Sequence, residues 1–367
     1  MKIGIITFHA AFNYGSMLQA YAMQTFLERQ GNSVEIVNFR PCNQKDGYPK
    51  PIDFTNKSNL KNSMKRLLLA PRTIVPLSKK WHLFDAFLHQ HLHLTKEYTT
   101  LDELKATNFD YDVLITGSDQ IWNTEAFDFS EAYFGTFVND NTKKIAYAPS
   151  MGPAPENQNV DYLKSLFNGY YAVSVREERT RQFIVDNGIF KDVEVVLDPT
   201  MLLEGCDYDS LYDKEPLIKG DYIFYYTPGG VRHEFLSEAS KMGKELGLPV
   251  ICEACYQPGD LNIYDNVKPY IPTGPSEFLN LIKNAKIVCG ASFHLMVFSI
   301  LFNKDFYCMN GDVDSRMNNL MKVFGCEDRI WSIVDKRSNK IGSKKTINNG
   351  VLSEKRKTSK RFICDSL

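Results

Sequence analysis

The first group of residues that could do chemistry is a polar loop near the start of the chain. Residues 13–16 are Asn13, Tyr14, Gly15 and Ser16, and they follow the apolar run 2–8. Gly15 allows a ligand to approach the backbone, and the helix predicted next offers free N–H groups and a positive dipole to an anion or a sugar hydroxyl. Asn and Ser are also ordinary helix caps, so the pattern leaves binding and capping both open.

The second group is a loop, residues 117–123, that is unusually rich in polar and aromatic side chains. Asp119, Gln120, Trp122 and Asn123 come in quick succession after the apolar run 113–116. Tryptophan stacks on the apolar face of a sugar, while Asp and Asn hydrogen-bond sugar hydroxyls. The loop therefore predicts a sugar site, and a helix-capping arrangement with a buried tryptophan is the structural alternative.

The third group pairs an arginine with a distant histidine. Arg176 ends a predicted strand, where a guanidinium can hold a phosphate or carboxylate through two parallel hydrogen bonds. A salt bridge to Glu177 or Glu178 is the structural alternative. His294 lies at the start of an apolar helix, where the helix dipole disfavours protonation unless an anion is bound. A cap or a packed ring is the alternative for this histidine.

Alternating strand-like and helix-like segments place all of these residues just past strand ends. A βαβ order requires parallel strands, and open parallel sheets bind ligands outside the carboxyl ends of their strands. We predict an α/β fold of two Rossmann-like domains facing a central cleft. An N-terminal domain over 1–205 carries a helical insertion near 55–95, and a C-terminal domain covers 206–335. A basic tail, 336–367, ends in a helix expected to pack back on the N-terminal domain.

Composition excludes several classes of protein. The 367 residues include 43 Lys and Arg against 44 Asp and Glu, a balance that argues against a nucleic-acid binder. No apolar run is long enough for a membrane span, and the N-terminus does not resemble a signal peptide, so we expect a cytoplasmic protein. Cys252 and Cys255 have CxxC spacing, but neither a second pair nor a histidine cluster completes a zinc site. We expect neither a metal nor a cofactor.

The predicted insertion combines basic and apolar residues. Its basic residues, interleaved with leucine and aromatic residues, are Lys61, Lys65, Arg66, Arg72, Lys79 and Lys80. A solvated charged face accounts for this pattern, and so does peripheral contact with the anionic inner face of a membrane. The sequence leaves both interpretations open.

Taken in order, these motifs resemble the polysaccharide pyruvyl transferase family over nearly the full length of the chain. The matching stretches are residues 2–8, 13–20, 117–123, 174–177, 198–200 and 292–294. The resemblance implies a fold similar to that of GT-B glycosyltransferases. It also implies transfer of pyruvate from phosphoenolpyruvate onto a sugar, as a cyclic ketal, in a polysaccharide such as capsule or exopolysaccharide or in its lipid-linked oligosaccharide precursor.

The resemblance implies donor-site roles for Arg176 and His294. Some relatives have Arg-Leu-His where this chain has Ser292-Phe293-His294, so Ser292 stands where a second donor-binding arginine would be. Another cation must then complete the phosphate site, and Arg316 is the candidate by its position after the helix. The C-terminal domain would be the donor side.

The acceptor side would be the N-terminal domain, with loops 13–16 and 117–123 around the sugar. Ketal formation requires an acid that protonates the methylene carbon of phosphoenolpyruvate and a base for a sugar hydroxyl. His294 suits the acid because bound phosphate would favour its protonated form, and Asp119 suits the base or an orienting role. This chemistry requires no metal.

Two other functions remain open at this stage. One is a glycosyltransferase of the same fold that uses a nucleotide-sugar and holds its ribose through an acidic residue such as Glu253 or Asp260. The other is a sugar-binding protein of a surface-polysaccharide pathway that catalyses no reaction.

Overall fold

Strands and helices alternate along most of the chain in the computed structural model, which describes residues 1–54, 57–152, 155–253, 258–270, 272–342 and 347–367. The first half contains β1 (Lys2–Ile6), α1 (Tyr14–Arg29), β2 (Ser33–Ile36), α2 (Cys42–Gly47), α3 (Lys57–Leu69), α4 (Pro71–His91), α5 (Leu101–Lys105), β3 (Val113–Thr116), β4 (Lys143–Ala146), α6 (Val160–Leu166), β5 (Tyr170–Val175), α7 (Glu178–Asp186) and β6 (Val193–Val195). The second half contains β7 (Ile223–Tyr226), α8 (His233–Leu246), β8 (Val250–Cys252), β9 (Val267–Pro269), α9 (Pro275–Asn284), β10 (Ile287–Gly290), α10 (Phe293–Leu301), β11 (Asp305–Cys308), α11 (Ser315–Val323) and α12 (Asn349–Ser366).

The chain divides into two units by its internal contacts. The first unit comprises Met1–Tyr48, Leu88–Leu203 and Asn349–Leu367, and the second comprises Pro49–Phe87 and Glu204–Asn348. Each unit contains one parallel sheet, with α-helices between most of the successive strands. The predicted α/β class with two parallel-sheet domains is confirmed.

Among the described residues, six strands form the sheet of the first unit, in the order β2-β1-β3-β4-β5-β6. β1 pairs in parallel with both β2 and β3, with Ile3 opposite Val34 on one side and Val113 on the other. The chain leaves β1 towards β2 and later returns to the opposite side of β1 as β3. The gap between β1 and β3 is therefore the topological switch point, where open α/β sheets bind ligands.

The described strands of the second unit form a five-stranded parallel sheet in the order β11-β10-β7-β8-β9. Here the order reverses between β7 and β10, which places the switch point at that gap. Two short strands, β9 and β11, form the two edges of this sheet. Pro269 is compatible with an edge position, where a missing N–H disrupts no ladder.

The insertion belongs by its contacts to the second unit, whereas the sequence pattern assigned it to the N-terminal domain. Lys80 of α4 donates to Glu253 at the end of β8 over 3.1 Å, with both side chains buried. Farther along α4, Leu83 packs closely against Gly274. A Cβ added to Gly274 would lie only 2.6 Å from the Leu83 Cβ. Lys80, predicted as part of an exposed basic face, is thus a buried ion-pair partner.

The terminal helix α12 packs within the first unit. Ser359 accepts a hydrogen bond from the Leu197 backbone N–H over 2.9 Å. The buried Arg356 guanidinium donates to the carbonyl oxygens of Met201 and Leu203, over 2.7 and 3.2 Å. Part of the basic character of the tail therefore serves to satisfy backbone carbonyls. None of the helices in the described ranges is long and apolar enough to span a membrane.

Candidate active site

The switch point of the first sheet joins two of the predicted loops directly. α1 begins at Tyr14, and the Asn13 side chain caps it by accepting from the Gly15 N–H over 2.9 Å. In the same turn, the Ser16 hydroxyl donates to Asp119 Oδ2 over 2.7 Å. The loop after β1 is thus tied to the loop after β3. Capping, the structural alternative, accounts for Asn13 and Gly15, while Ser16 positions the predicted base.

Asp119 occupies a strained backbone position that the surrounding hydrogen bonds maintain. Its φ is 75°, in the left-handed region, which costs a non-glycine residue about 1 kcal/mol or more. Its Oδ1 accepts from the Gln120 N–H over 2.9 Å, and its carbonyl accepts from the Ser150 N–H over 2.8 Å. The carboxylate is half-buried and held in one orientation, as a hydroxyl-binding group requires.

The remaining polar residues of this loop lie against the segment after β4. A Cβ on Gly152 would lie 2.8 Å from Asn123 Nδ2 and 3.3 Å from Gln120 Oε1. Gln120 and Asn123 are half-buried, whereas Tyr14 is 2% exposed. Asp119, Gln120 and Asn123 therefore keep part of their surface accessible, and Tyr14 belongs to the core.

Trp122 is in the hydrophobic core, and its predicted role as a sugar-stacking platform is wrong. The side chain is 0% exposed. Its ring stacks on Phe134 with centroids 5.2 Å apart and also contacts Phe167 at 4.6 Å and Tyr170 at 5.8 Å. Its Nε1 donates to the Tyr133 carbonyl over 3.4 Å. No face of the indole is available to a sugar, so the alternative of a buried tryptophan is the correct one.

Arg176 lies at the end of β5 in a buried network with two carboxylates. Its Nε donates to Glu177 Oε1 over 2.8 Å and one terminal nitrogen donates to Asp198 Oδ2 over 3.2 Å. Ser118, beside Asp119, also donates to Asp198. Burial lowers the pKa of Arg176, but the charges of Glu177, Asp198 and Asp119 outweigh it and raise that pKa above its ordinary value. The salt bridge named as the alternative is present, and donor binding by Arg176 stays a prediction.

The switch point of the second sheet is formed by the end of β10 and the start of α10. Gly290 has φ of 150°, and a Cβ there would lie 1.9 Å from the Tyr226 carbonyl oxygen of β7. Only glycine permits this approach. Ser292 then caps α10 by accepting from the Leu295 N–H over 3.4 Å. His294 follows in the first turn, 9% exposed, with the Phe293 ring edge-on at 5.2 Å.

Arg316 is engaged in the first turn of α11. Its Nε and one terminal nitrogen donate to the two oxygens of Asp314, over 3.2 and 2.7 Å. Asp314 is also the N-cap of α11 and accepts from the Arg316 backbone N–H over 2.9 Å. The burial of Asp314 opposes its ionisation, but hydrogen bonds and the charge from Arg316 lower its pKa overall. The Arg316 side chain is thus paired with the residue that caps its own helix, and its contact with the donor stays a prediction.

No sequence pattern predicts the ion pair between Lys80 and Glu253, the residue that follows β8. Glu253, considered as a ribose ligand, accepts instead from Lys80, and the two side chains are 5% and 11% exposed. The side chain of Asp260 lies outside the described residues, as does Cys255 of the CxxC pair. Burial raises the pKa of Cys252, so that thiol stays protonated. The pairing of Lys80 with Glu253 spans 173 residues, and no local pattern signals it.

Structural comparison identifies proteins with the same architecture. An alpha-glucosyltransferase solved with UDP and a 13-mer DNA containing an HMU base has a TM-score of 0.53 at 10% identity, over 99% of this chain and 95% of that one. The UDP-GlcNAc 2-epimerase of Methanocaldococcus jannaschii, solved with UDP-GlcNAc and UDP, has a TM-score of 0.51 at 12% identity, over 100% and 99%. At these identities the likeness shows the fold, which is of the GT-B type.

Sequence comparison gives the family. A search of curated proteins found no match. The family model described as "Polysaccharide pyruvyl transferase" matches residues 13–312. The matched region runs from the Asn13 cap of α1 to past β11, and so includes the switch-point loops of both sheets. A match over most of the chain confirms the resemblance seen in the motifs and shows that this chain belongs to the polysaccharide pyruvyl transferase family.

Proposed function

We propose that this protein transfers pyruvate from phosphoenolpyruvate onto a sugar as a cyclic ketal, in a polysaccharide or lipid-linked oligosaccharide precursor. The observation that carries the proposal is the position of His294 in the first turn of α10, at the switch point of the second sheet. A helix N-terminus there offers N–H groups to a phosphate, and a histidine in the same turn can supply a proton.

The second unit supplies the donor chemistry in this proposal. The phosphate binds at the start of α10, and its negative charge favours the protonated form of His294. His294 then protonates the methylene carbon of phosphoenolpyruvate, which makes C2 electrophilic. Lys80 of α4 is a candidate for the additional cation, because its ammonium group lies at Glu253, just past the end of β8, the strand next to β7. No organic cofactor takes part in this reaction.

The first unit supplies the acceptor chemistry. Asp119 accepts the hydrogen bond of a sugar hydroxyl and takes its proton, while Ser16 and the Gln120 N–H hold the carboxylate in place. Gln120 and Asn123 are accessible enough to bind further hydroxyls. Arg176 binds the donor in this proposal only by exchanging part of its contact with Glu177 or Asp198.

Ligand-induced shifts of the melting temperature test the proposal. Phosphoenolpyruvate should raise the melting temperature, because a ligand that binds only the folded state stabilises it by about 2.7 kcal/mol at one hundred times its Kd. His294→Ala should reduce that shift. A shift with UDP or GDP and none with phosphoenolpyruvate would favour the nucleotide-sugar glycosyltransferase, and a shift with oligosaccharide alone would favour the non-catalytic sugar-binding protein.

The described part of α3 supports a peripheral membrane location for this activity, at the cytoplasmic leaflet. Leu60, Met64 and Leu68 are four residues apart and are 41%, 54% and 80% exposed, so they share one uncovered face. Lys61 and Lys65 lie beside them and are also exposed. An apolar stripe flanked by lysines is suited to the surface of an anionic bilayer, where lipid-linked acceptors are found.

Sedimentation with vesicles tests this location. Wild-type protein should pellet with anionic vesicles at low salt and less at high salt, because screening weakens the lysine contribution. A Leu60→Ser, Met64→Ser, Leu68→Ser triple variant should stay in the supernatant. Wild-type protein that remains in the supernatant at both salt concentrations would contradict the proposal.

A further inference from the structure

Two loops border the switch point of the second sheet. β7 and β10 are neighbours, with Tyr226 opposite Gly290 at their carboxyl ends. The chain continues from β10 through α10 to β11 on one side of the sheet, and from β7 through α8 to β8 on the other side. Because these connections diverge from adjacent strand ends, the loop before α8 borders the same crevice as the start of α10. We call this loop, residues 227–232, the β7 loop.

The β7 loop leaves its backbone open to a ligand. Gly229 and Gly230 have φ of 80° and 115°, in the left-handed region that favours glycine. A Cβ added to either glycine would meet no described atom within 4 Å, so there is open space beside both. The buried Thr227 hydroxyl donates to the Gly230 carbonyl over 2.8 Å and holds the turn in shape. The loop therefore combines a fixed turn with an accessible surface.

Arg232 ends the β7 loop as the N-cap residue of α8. Its carbonyl accepts from the Tyr225 hydroxyl over 3.1 Å and from the Leu236 backbone N–H over 2.9 Å, so its backbone is fixed. Its guanidinium lies over the Phe235 ring, 4.3 Å from the ring centroid. The side chain is nevertheless 47% exposed. Arg232 thus presents a positive charge to solvent from a fixed position at the end of the loop.

In the described part of the chain, Glu234 is the one ion-pair partner of Arg232. Nε and one terminal nitrogen of Arg232 donate to the same oxygen, Glu234 Oε1, over 2.8 and 2.5 Å. A hydrogen bond from its own backbone N–H lowers the pKa of Glu234, and the bond from Arg232 adds to this effect. A carboxylate is therefore held where the start of α8 and Arg232 both favour an anion. The pair is exposed and contributes little stability, so a phosphate can replace the carboxylate.

The other cations of the second unit that were considered for the donor are bonded to more deeply buried carboxylates. Arg316 is bonded to Asp314, whose side chain is 17% exposed. Lys80 is bonded to Glu253, whose side chain is 5% exposed. A carboxylate that loses its cation is destabilising when it is buried and nearly harmless when it is exposed. Of these three cations, Arg232 is thus the most available to an incoming anion.

We infer that Arg232 binds the phosphate of the donor and supplies the cation that Ser292 does not. The phosphate displaces the Glu234 carboxylate and lies between the β7 loop and the start of α10. A planar guanidinium suits this role because it can form two parallel hydrogen bonds with a phosphate. This inference rests on the proposed pyruvyl transfer, and it makes Arg232 a donor-binding residue.

The donor affinity of Arg232→Gln tests the inference. We expect the Kd of phosphoenolpyruvate, measured by isothermal titration calorimetry, to rise by about tenfold, the effect of one lost hydrogen bond to a charged group. The KM for phosphoenolpyruvate should rise with it, and kcat should change little. Arg337→Gln is the matched control, because Arg337 is an exposed arginine of the same unit that also bonds a carboxylate two residues away, that of Asp335. This control should keep the wild-type Kd.

Glu234→Gln should have the opposite effect on donor affinity. It removes the charge that competes with phosphate for Arg232, so the Kd of phosphoenolpyruvate should fall by up to about fivefold. A role of Arg232 confined to the stability of α8 would not produce opposite shifts from the two substitutions. Both side chains are about half exposed, so both variants should fold and melt close to the wild-type temperature. Equal or weaker binding in Glu234→Gln would contradict the exchange of Glu234 for phosphate.

The outcomes separate this inference from the proposed function. If wild-type protein forms ketal and Arg232→Gln keeps the wild-type Kd for phosphoenolpyruvate, the inference is overturned and pyruvyl transfer stands. If wild-type protein forms no ketal but binds inorganic phosphate, and Arg232→Gln weakens that binding, pyruvyl transfer is overturned and the anion site at Arg232 stands. Ketal formation by the wild-type protein together with a raised Kd in Arg232→Gln supports both.

Discussion

The carboxyl ends of the two sheets differ in the kind of group they present. In the first unit, the charged side chains there are mainly carboxylates, Asp119, Asp128, Glu177 and Asp198, and Arg176 is bonded to two of them. In the second unit, the switch point is built from a glycine that approaches β7, a capping serine and a histidine in the first turn of α10.

This difference indicates which reactant each unit suits. Carboxylates accept hydrogen bonds from neutral hydroxyls and repel phosphate, so the first unit favours a sugar. A helix N-terminus with a histidine favours an anion, which under the proposed function is phosphoenolpyruvate. The two sheets have parallel strands and switch points of the same type, and the residues placed at the switch points decide what each binds.

Among the substitutions that test this difference between the units, removal of His294 should cause the largest loss of turnover. We expect His294→Ala to lower turnover by about 10²–10⁴-fold, the usual contribution of a general acid. His82→Ala, an exposed histidine of α4, is the control and should retain wild-type turnover. Initial rates with saturating phosphoenolpyruvate measure the effect. Wild-type turnover in His294→Ala would remove the second unit's histidine from the mechanism.

Truncation of Trp122 should lower the stability of the protein and leave its affinity for the acceptor unchanged. Trp122→Ala should lower the free energy of unfolding by about 3–5 kcal/mol, because it leaves a cavity beside Phe134 and Phe167. Tyr171→Ala, at a position 62% exposed, should change it by less than about 0.5 kcal/mol. Urea unfolding measures both. A weakened acceptor affinity in Trp122→Ala with unchanged stability would show that the indole does contact sugar.

Two substitutions of Arg176 test whether this residue of the first unit stabilises the fold, binds the donor, or does both. Arg176→Ala leaves the buried carboxylates of Glu177 and Asp198 without their cation, so we expect a loss of about 3–5 kcal/mol in unfolding free energy. Wild-type stability in this variant would contradict the structural role. Arg176→Lys keeps the charge but loses the planar geometry. A raised KM for phosphoenolpyruvate in Arg176→Lys would add the donor role, and an unchanged KM would confine Arg176 to structure.

The pH dependence of stability tests the Asp128 environment. Burial raises its folded-state pKa to about 6, above the unfolded value, so folding favours the protonated carboxyl. The stabilisation is present below about pH 4 and is lost as the pH rises towards 6, by on the order of 2–3 kcal/mol. Asp128→Asn should lack this pH-dependent stabilisation when its unfolding free energy is measured from pH 4 to pH 7. If the unfolding free energies of the two proteins change with pH in the same way, the raised pKa of Asp128 is contradicted.

The sequence predicted those features that depend on neighbouring residues. The apolar run 113–116 forms a central strand, and Asn13, for which capping was one of two open interpretations, caps α1. Hydropathy cannot distinguish a tryptophan that packs inside from one that faces a sugar, so Trp122 was misassigned. Gln44 and Asp128 are 84 positions apart in the sequence, and only the folded chain brings them together.

The most direct test of the central claim is mass spectrometry of a diol sugar acceptor after incubation with phosphoenolpyruvate and the wild-type protein. We expect an acceptor heavier by one pyruvyl ketal, with one inorganic phosphate released for each acceptor modified. We expect no product when phosphoenolpyruvate is replaced by a nucleotide-sugar. An unmodified acceptor with phosphoenolpyruvate, together with a glycosylated acceptor from a nucleotide-sugar, would contradict it.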